Sequence, residues 1–195
     1  MILQALVKEY ENLAQKGLVS KPGWSQAKVS YAIDLKDDGS IKVIYSLKTE
    51  EQRGKKTVWM PRFLSVPEMV TRSSGVAANF LCDNAKYFLG IDQNGTNDRV
   101  MDCFQAAKEK HIALLKDVDD AMAKAICSFF ESWNPQTAKE NIFVQEKWDE
   151  LNDGGNFIFC MGMKYAQDDE KIKAVWENSI LQEEEGRTGT CLVTG

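Results

Sequence analysis

Apolar residues recur with helical spacing at the start of the chain and with alternating spacing soon after it. The first pattern predicts an amphipathic helix over residues 2–16, and Gly17 should end it. Alternating apolar residues over 29–35 and 41–45 predict two strands, and the Asp-Asp-Gly triplet between them is typical of a tight turn. The sequence therefore predicts a β-hairpin over residues 28–47.

The pattern is weaker in the following stretch. Residues 48–57 are mostly charged and predict a loop, while residues 57–64 predict a strand that Pro61 confines to a sheet edge or a bulge. A short helix is expected over about 75–83, and a strand over 86–91.

Helical spacing dominates the second half. It predicts a helical block over about 98–152, with a helix inside it that begins after Asp119 or Asp120. A second hairpin is expected around Gly162, followed by a helix capped by Asp168 or Asp169.

This order of elements lacks regular β-α-β alternation. It predicts an α+β fold, with mixed or antiparallel hairpins packed against a helical block. We expect one domain, with a β-rich part at about 25–92, helices at 98–152, and a hairpin and helix at 155–185. The last residues, TGTCLVTG, look like the start of a strand, so we expect 1–195 to be the N-terminal part of a longer protein.

Composition limits the class of protein. With 195 residues and 44% apolar content, the chain can build one sizeable core. No signal peptide or membrane-spanning run is evident, so a cytoplasmic location is expected. The five cysteines are widely spaced and form no CxxC pair, which predicts buried reduced thiols rather than a disulfide framework or a zinc site.

The net charge of −5 argues against a nucleic-acid binder, but the charges are unevenly distributed. Residues 53–72 carry one carboxylate, Glu68, and five basic residues: Arg53, Lys55, Lys56, Arg62 and Arg72. This local excess can bind phosphate, or it can be an ordinary solvated loop, and charge alone does not decide between the two.

The residue types needed for catalysis are scarce. The single histidine, His111, lies on the apolar face of a predicted helix and is expected in the core. Phosphate-loop, dinucleotide-binding, zinc-protease and EF-hand motifs are absent from the sequence. The sequence therefore gives no positive case for catalysis, and we expect no cofactor or metal.

Small polar groups concentrate between residues 72 and 92. Arg72, Ser73, Ser74 and Gly75 offer a cation, hydroxyls and accessible main-chain N–H groups to an anion. The amide of Asn79 can both donate to and accept from a base edge. The alternative is that a serine simply caps a helix and that Asn79 is an ordinary satisfied polar residue.

The same stretch, RSSGVAANFLCDNAKYFLGID, resembles the large subunit of the subtype I-C CRISPR surveillance complex, Cascade, known as the Csd-one or Cas-eight-c family. The resemblance continues in order through the rest of the chain, in MILQALVKEYE, PGWS, KVSYAIDLKDDG, FLSVPEMVTRSSG, KEKHIALLKD, FFESWNP, IKAVWE and CLVTG.

The resemblance implies a non-catalytic subunit of a guide-RNA ribonucleoprotein in antiviral defence. Such a subunit inspects double-stranded target DNA for the protospacer-adjacent motif, supports duplex opening and recruits a helicase-nuclease. The alternative is an assembly module that contacts the 5′ handle of the guide RNA and a neighbouring subunit without reading DNA bases.

Carried onto this sequence, the resemblance makes Asn79 the first candidate for a base contact and Lys28 the second. Ser73, Ser74 and Gly75 would belong to the same DNA-facing loop, with Arg72 on a phosphate. Lys55, Lys56 and Arg62 would contact phosphates regardless of sequence.

Overall fold

The computed structural model describes residues 2–15, 20–73, 75–93, 95–152 and 154–185. The strands are β1 (Trp24–Leu35), β2 (Ile41–Ser46), β3 (Thr49–Arg53), β4 (Lys56–Met60), β5 (Arg62–Pro67), β6 (Cys82–Asn84), β7 (Asn156–Met161) and β8 (Lys164–Tyr165). The α-helices are α1 (Ile2–Gln15), α2 (Ala85–Phe88), α3 (Asp98–Leu115), α4 (Ala121–Ser132), α5 (Ile142–Gln145), α6 (Trp148–Asn152) and α7 (Glu170–Glu185). Two short 3-10 helices cover Pro135–Glu140 and Ala166–Asp168.

Strand β1 lies at the centre of the main sheet, whose order is β2-β1-β7-β6. The first half of β1 pairs with β5 and the second half with β2, both antiparallel, while β7 runs parallel to β1. Strands β6 and β8 pair antiparallel with β7. The predicted α+β fold, the hairpin over 28–47 and the hairpin around Gly162 are confirmed.

The helix predictions at both ends of the chain are also confirmed. Helix α1 covers the predicted first helix, and α7 begins after Asp169, whose side chain accepts hydrogen bonds from the main chain of Lys171 and Ile172. Asp120 caps α4. The strand expected at the C-terminus lies outside the described residues.

The predicted charged loop over 48–57 is wrong. Strands β3 and β4 pair there as a separate two-stranded sheet, with a turn at Gly54 and Lys55. A positive φ of 65° at Gly54 fits such a tight turn, because residues with a side chain rarely adopt it. The predicted strand over 57–64 is divided at Pro61, so its two halves belong to different sheets.

The local structure predicted for residues 75–91 is also wrong. No helix forms over 75–83; these residues lead into the short strand β6, and helix α2 occupies the first half of the expected strand at 86–91. The Asn84 side chain caps α2 by accepting a hydrogen bond from the main chain of Lys86. Capping therefore selects a helical turn within an apolar run that also fits a strand.

Helices α3 and α4 supply an aromatic core. His111 is fully buried among phenylalanine rings, at 4.7 Å from the Phe130 ring and 5.2 Å from the Phe80 ring between centroids. Burial lowers the pKa of His111 from 6.5 to about 3, so the imidazole is neutral in the folded protein. The prediction of a core histidine is confirmed.

The cysteines of the described ranges are not paired in disulfides. The four cysteines there are free thiols, three of them buried, which agrees with the prediction for that part of the chain. No group of three or more metal-ligating side chains occurs among these residues. No helix within the same ranges is long and apolar enough to cross a membrane.

Candidate nucleic-acid interface

An ion pair between the partly exposed Arg72 and a fully buried carboxylate supports the polar stretch that begins at Arg72. The guanidinium of Arg72 forms two hydrogen bonds with the carboxylate of Asp83, one of them 3.0 Å long between Nη1 and Oδ1. Its Nε donates to the carbonyl oxygen of Ala77 at 2.5 Å, and the group lies 4.0 Å from the centroid of the Tyr87 ring. The donors expected to face a phosphate thus have partners inside the chain, and a phosphate contact by Arg72 stays a prediction.

Asp83 is the anchor of this arrangement. Its fully buried carboxylate also accepts hydrogen bonds from the main-chain N–H groups of Asn79, at 2.9 Å, and Asn84, at 2.8 Å. Burial raises the pKa of the Asp83 carboxyl, because desolvation outweighs the hydrogen bonds from Arg72 and the main chain. Asp83 could not be predicted as the partner of Arg72, since the spacing of the two residues in the sequence does not indicate an ion pair.

Asn79 lies beneath the loop rather than on its surface. Its residue surface is only 1% exposed, and its Oδ1 accepts a hydrogen bond from the main chain of Val70 at 2.8 Å. Its Nδ2 is buried without a hydrogen-bond partner in the described part of the chain. A base contact through Asn79 stays a prediction, and it requires the loop to move away from this side chain.

Helix α3 fixes the other end of the loop. Leu81 has a φ of 57°, which is uncommon for a residue with a branched side chain. Its N–H donates to Nε2 of His111 at 3.0 Å, while Nδ1 of His111 donates to the carbonyl of Ala107 at 2.7 Å. Lys110 donates to the carbonyl of Ala78 at 3.0 Å. The core histidine therefore holds an unusual backbone turn next to the polar stretch.

The outer part of the loop is accessible. Ser73 and Gly75 are exposed, and a Cβ atom added at Gly75 would have no neighbour within 4 Å. Ser74 lies outside the described residues. No helix follows directly in the described residues 75–83, so no helix N-terminus adds to an anion site here, and anion binding by this loop stays a prediction. What remains is an exposed loop on a rigid, hydrogen-bonded base.

Lys55 and Lys56 lie at the turn of the β3–β4 hairpin, and both are exposed. Lys56 is directly opposite Arg53 in the strand pairing, and Arg53 lies 3.4 Å from Glu51. Neither lysine forms a salt bridge with another described residue. The hairpin thus presents cations at its end, as the phosphate prediction requires.

Lys28 and Arg62 lie at neighbouring positions of the β1–β5 ladder but on opposite faces. Lys28 is opposite Phe63, and its Nζ is 5.8 Å from the centroid of that ring. Arg62 is opposite Val29. Because successive residues of a strand point to opposite sides, the two cations cannot approach the same ligand group from this ladder.

Lys28 lines an open cavity of about 690 Å³. Two further lysines, Lys48 and Lys86, line the same cavity. Neither lysine could be predicted at this site from the sequence, because they come from different parts of the chain and only the tertiary fold brings them together.

The sequence matches the CRISPR-associated protein family Csd1 over residues 6–195. A search of curated proteins finds no match. The matched span includes every described element from β1 onward and most of α1. This confirms the resemblance seen in the sequence. The chain therefore belongs to the Csd1 family of CRISPR-associated proteins.

Proposed function

We propose that the chain acts in antiviral defence as a non-catalytic subunit of a subtype I-C CRISPR surveillance complex, Cascade. In this proposal it recognises the protospacer-adjacent motif in double-stranded target DNA, supports duplex opening and helps to recruit the helicase-nuclease. The family match over residues 6–195 carries the proposal. Two surfaces support the proposal: the exposed loop with Ser73 and Gly75, and the β3–β4 hairpin with Lys55 and Lys56 at its turn, which we call the basic hairpin.

The basic hairpin suits contacts that do not depend on base sequence. Lysines attract phosphates as point charges, and they release counterions from DNA when they bind. Lys55 and Lys56 can bind phosphates in this way, since both are exposed and neither forms a salt bridge with a carboxylate among the described residues. Contacts of this kind position a duplex but carry no information about its sequence.

The exposed loop suits the reading of a short motif. Its outer residues, Ser73 and Gly75, offer main-chain groups and a hydroxyl at the surface. The hydrogen bonds from Arg72 and from the main chain of Asn79 to Asp83 tie the base of the loop to the fold. Preorganisation of this kind lowers the entropy cost of recognition.

The hairpin prediction is tested by replacing both lysines, as Lys55→Ala with Lys56→Ala, in the assembled complex. Binding to duplexes with the correct motif and with a scrambled motif should weaken equally. The negative slope of log K against log salt concentration should become shallower by about 2, because two phosphate contacts are lost. Lys116→Ala is the matched control, because Lys116 is an exposed lysine at the end of α3. A larger loss for the correct motif would contradict a role limited to phosphates.

The loop prediction is tested with Asn79→Ala, which should weaken binding to the correct motif more than to the scrambled one. Asp83→Asn is the informative comparison, because Asp83 is fully buried yet holds the same loop. A loss confined to Asn79→Ala supports a base contact by Asn79. An equal loss in Asp83→Asn shows that Asn79 acts through the loop conformation, and unchanged preference in both would refute a reading role for the loop.

An assembly role is the second candidate, and one observation favours it. Helix α1 has apolar side chains at helical spacing that are largely exposed: Ile2, Leu3, Leu6, Val7 and Tyr10. An exposed apolar face of this kind is typical of a surface that a partner protein covers. In this candidate function, the chain contacts a neighbouring subunit of the complex and the 5′ handle of the guide RNA.

The two candidates are separated by co-purification. Leu3→Lys with Leu6→Lys should prevent assembly if α1 contacts a subunit, while the stability of the chain should hardly change because both side chains are exposed. Lys8→Gln on the same helix is the control. Normal assembly of the double variant would exclude α1 as the contact.

A further inference from the structure

The cavity beside β1 has an excess of positive charge. Its described lining includes three lysines, Lys28, Lys48 and Lys86, and one carboxylate, Asp92. This local excess occurs in a chain whose net charge is −5. A concave site lined mainly by one sign of charge concentrates ions of the opposite sign.

The three ammonium groups keep donors free for a ligand. The Nζ of Lys86 is 3.7 Å from Asp92, and that of Lys48 is 3.7 Å from Glu150, which are ion-pair distances but too long for hydrogen bonds. Lys48 donates one hydrogen bond to the Tyr31 hydroxyl at 2.6 Å. Lys28 forms no salt bridge with any residue the structure describes, and its contact is with an aromatic ring.

The rest of the lining is suited to more than a bare anion. Three asparagines, Asn84, Asn152 and Asn156, line the cavity together with the half-buried Pro61. The amide nitrogens of Asn152 and Asn156 each donate to a main-chain carbonyl, and each keeps a second N–H. Amides can donate to and accept from a base edge. A volume of about 690 Å³ exceeds the needs of one phosphate and lies within the usual range for small organic ligands.

A hydrogen bond and close packing hold the wall of the cavity in place. The amide of Asn156 donates to the main-chain carbonyl of Lys28 at 3.0 Å, which fixes the strand carrying that lysine. Gly155 has a φ of 111°, and a Cβ atom there would lie 2.4 Å from Oγ of Ser30. Close packing at this turn holds the Gly155 edge of the cavity against β1.

We infer that this cavity binds a single nucleotide unit, with its phosphate on the lysines and its base against the asparagine amides and Pro61. The inference goes beyond the reading of duplex DNA proposed above, because it concerns one unstacked nucleotide. Lys48 and Lys86 are not among the proposed duplex contacts. Failure of the cavity is therefore distinguishable from failure of duplex recognition.

Calorimetric titration of the full chain with adenosine 5′-monophosphate, adenosine and inorganic phosphate tests the inference. The monophosphate should bind saturably below about 10 mM, and adenosine and phosphate should each bind more weakly, because each lacks half of the contacts. Lys86→Gln and Lys28→Gln should each weaken monophosphate binding about tenfold through loss of a charge-assisted hydrogen bond. Lys116→Gln, away from the cavity lining, should leave it unchanged.

Three results would overturn the inference: no saturable binding of the monophosphate, equal affinity for inorganic phosphate, or an equal loss in Lys116→Gln. A 5′-phosphorylated dinucleotide distinguishes the source of the nucleotide. Tighter binding of the dinucleotide, with the same dependence on Lys86, supports a strand end in the cavity. Equal or weaker binding, with the monophosphate still dependent on Lys86, supports a free nucleotide.

Discussion

Removal of the Arg72 guanidinium should loosen the polar loop from within. In Arg72→Ala the carboxylate of Asp83 loses both of its side-chain hydrogen bonds while it remains fully buried. The variant also loses the contact of the guanidinium with the Tyr87 ring and the hydrogen bond to the carbonyl of Ala77. The change therefore affects the whole support of the loop.

The size of the effect follows from the burial of Asp83. Removing one partner of a buried ion pair costs about 3–5 kcal/mol of folding free energy, because an unpaired charge is left behind. Asp83 retains two main-chain hydrogen bonds, and its carboxyl can take up a proton, so we expect the lower end of that range. Arg72→Lys should lose most of the same energy, since an ammonium cannot reproduce the two-pronged contact of a guanidinium.

Urea unfolding of a double-mutant cycle measures this coupling. Arg72→Ala, Asp83→Ala and the double variant are compared, and the double variant should be less destabilised than the sum of the single changes by about 2 kcal/mol. Additivity to within about 0.5 kcal/mol would refute the pair as the support of the loop. In that case Arg72 would be available for the phosphate contact predicted from the sequence.

The pH dependence of Arg72→Ala gives an independent check. Burial already raises the pKa of Asp83, and loss of the cation raises it further. Between the unfolded pKa, near 3.8, and the higher folded pKa, the folded state holds a proton that the unfolded state releases. Stability of the variant should therefore fall as pH rises through this window, so the deficit relative to the parent protein should be smaller at the acidic end of the window than above it.

The remaining predictions concern the core and the turns. His111 has a folded pKa of about 3 against 6.5 in a free histidine, so the unfolded state binds more protons between these values, and stability should fall as pH decreases through that window. Between pH 7 and pH 5 this contributes a loss of about 2 kcal/mol, which urea unfolding should show in the parent but not in His111→Gln. Gly39→Ala should cost more than Gly54→Ala in thermal unfolding, although φ is positive at both: a Cβ atom at Gly39 would lie 2.5 Å from the main-chain nitrogen of Phe129, whereas at Gly54 nothing lies within 4 Å. Equal melting temperatures for the two glycine variants would show that the contact at Gly39 is readily relieved.

Much of the regular structure could be predicted because its periodicity records burial. The hairpin over 28–47 has an inward face that includes Tyr31, Ile33 and Ile44, so its alternation is visible in the sequence. The β3–β4 hairpin has no fully buried residue, and its strands therefore carry no alternation to detect. The parallel pairing of β1 with β7 joins distant parts of the chain, which local patterns do not specify.

The location of the candidate site stays a prediction from the sequence, and the orientation of its side chains could not be predicted. Residue type suggested that Arg72 and Asn79 face a ligand, yet the folded chain turns both toward Asp83 and the neighbouring backbone. An arginine suited to a phosphate is equally suited to a carboxylate, since the two present similar paired oxygens. Only the position of Asp83 decides between them, and that position follows from the pairing of β6 with β7.

The polar groups of residues 72–83 therefore form a buried inner layer and an exposed outer layer with different roles. Those in the inner layer, Arg72, Asn79 and Asp83, form hydrogen bonds with one another and with the backbone, although Nδ2 of Asn79 has no partner among the described residues. Ser73 and Gly75 lie at the surface. A loop that lacks regular hydrogen bonds needs such an inner layer, because buried main-chain groups without partners are costly. The many polar residues in this stretch are thus explained by the support of an exposed loop. A ligand would therefore meet the outer surface of the loop before the side chains of the inner layer.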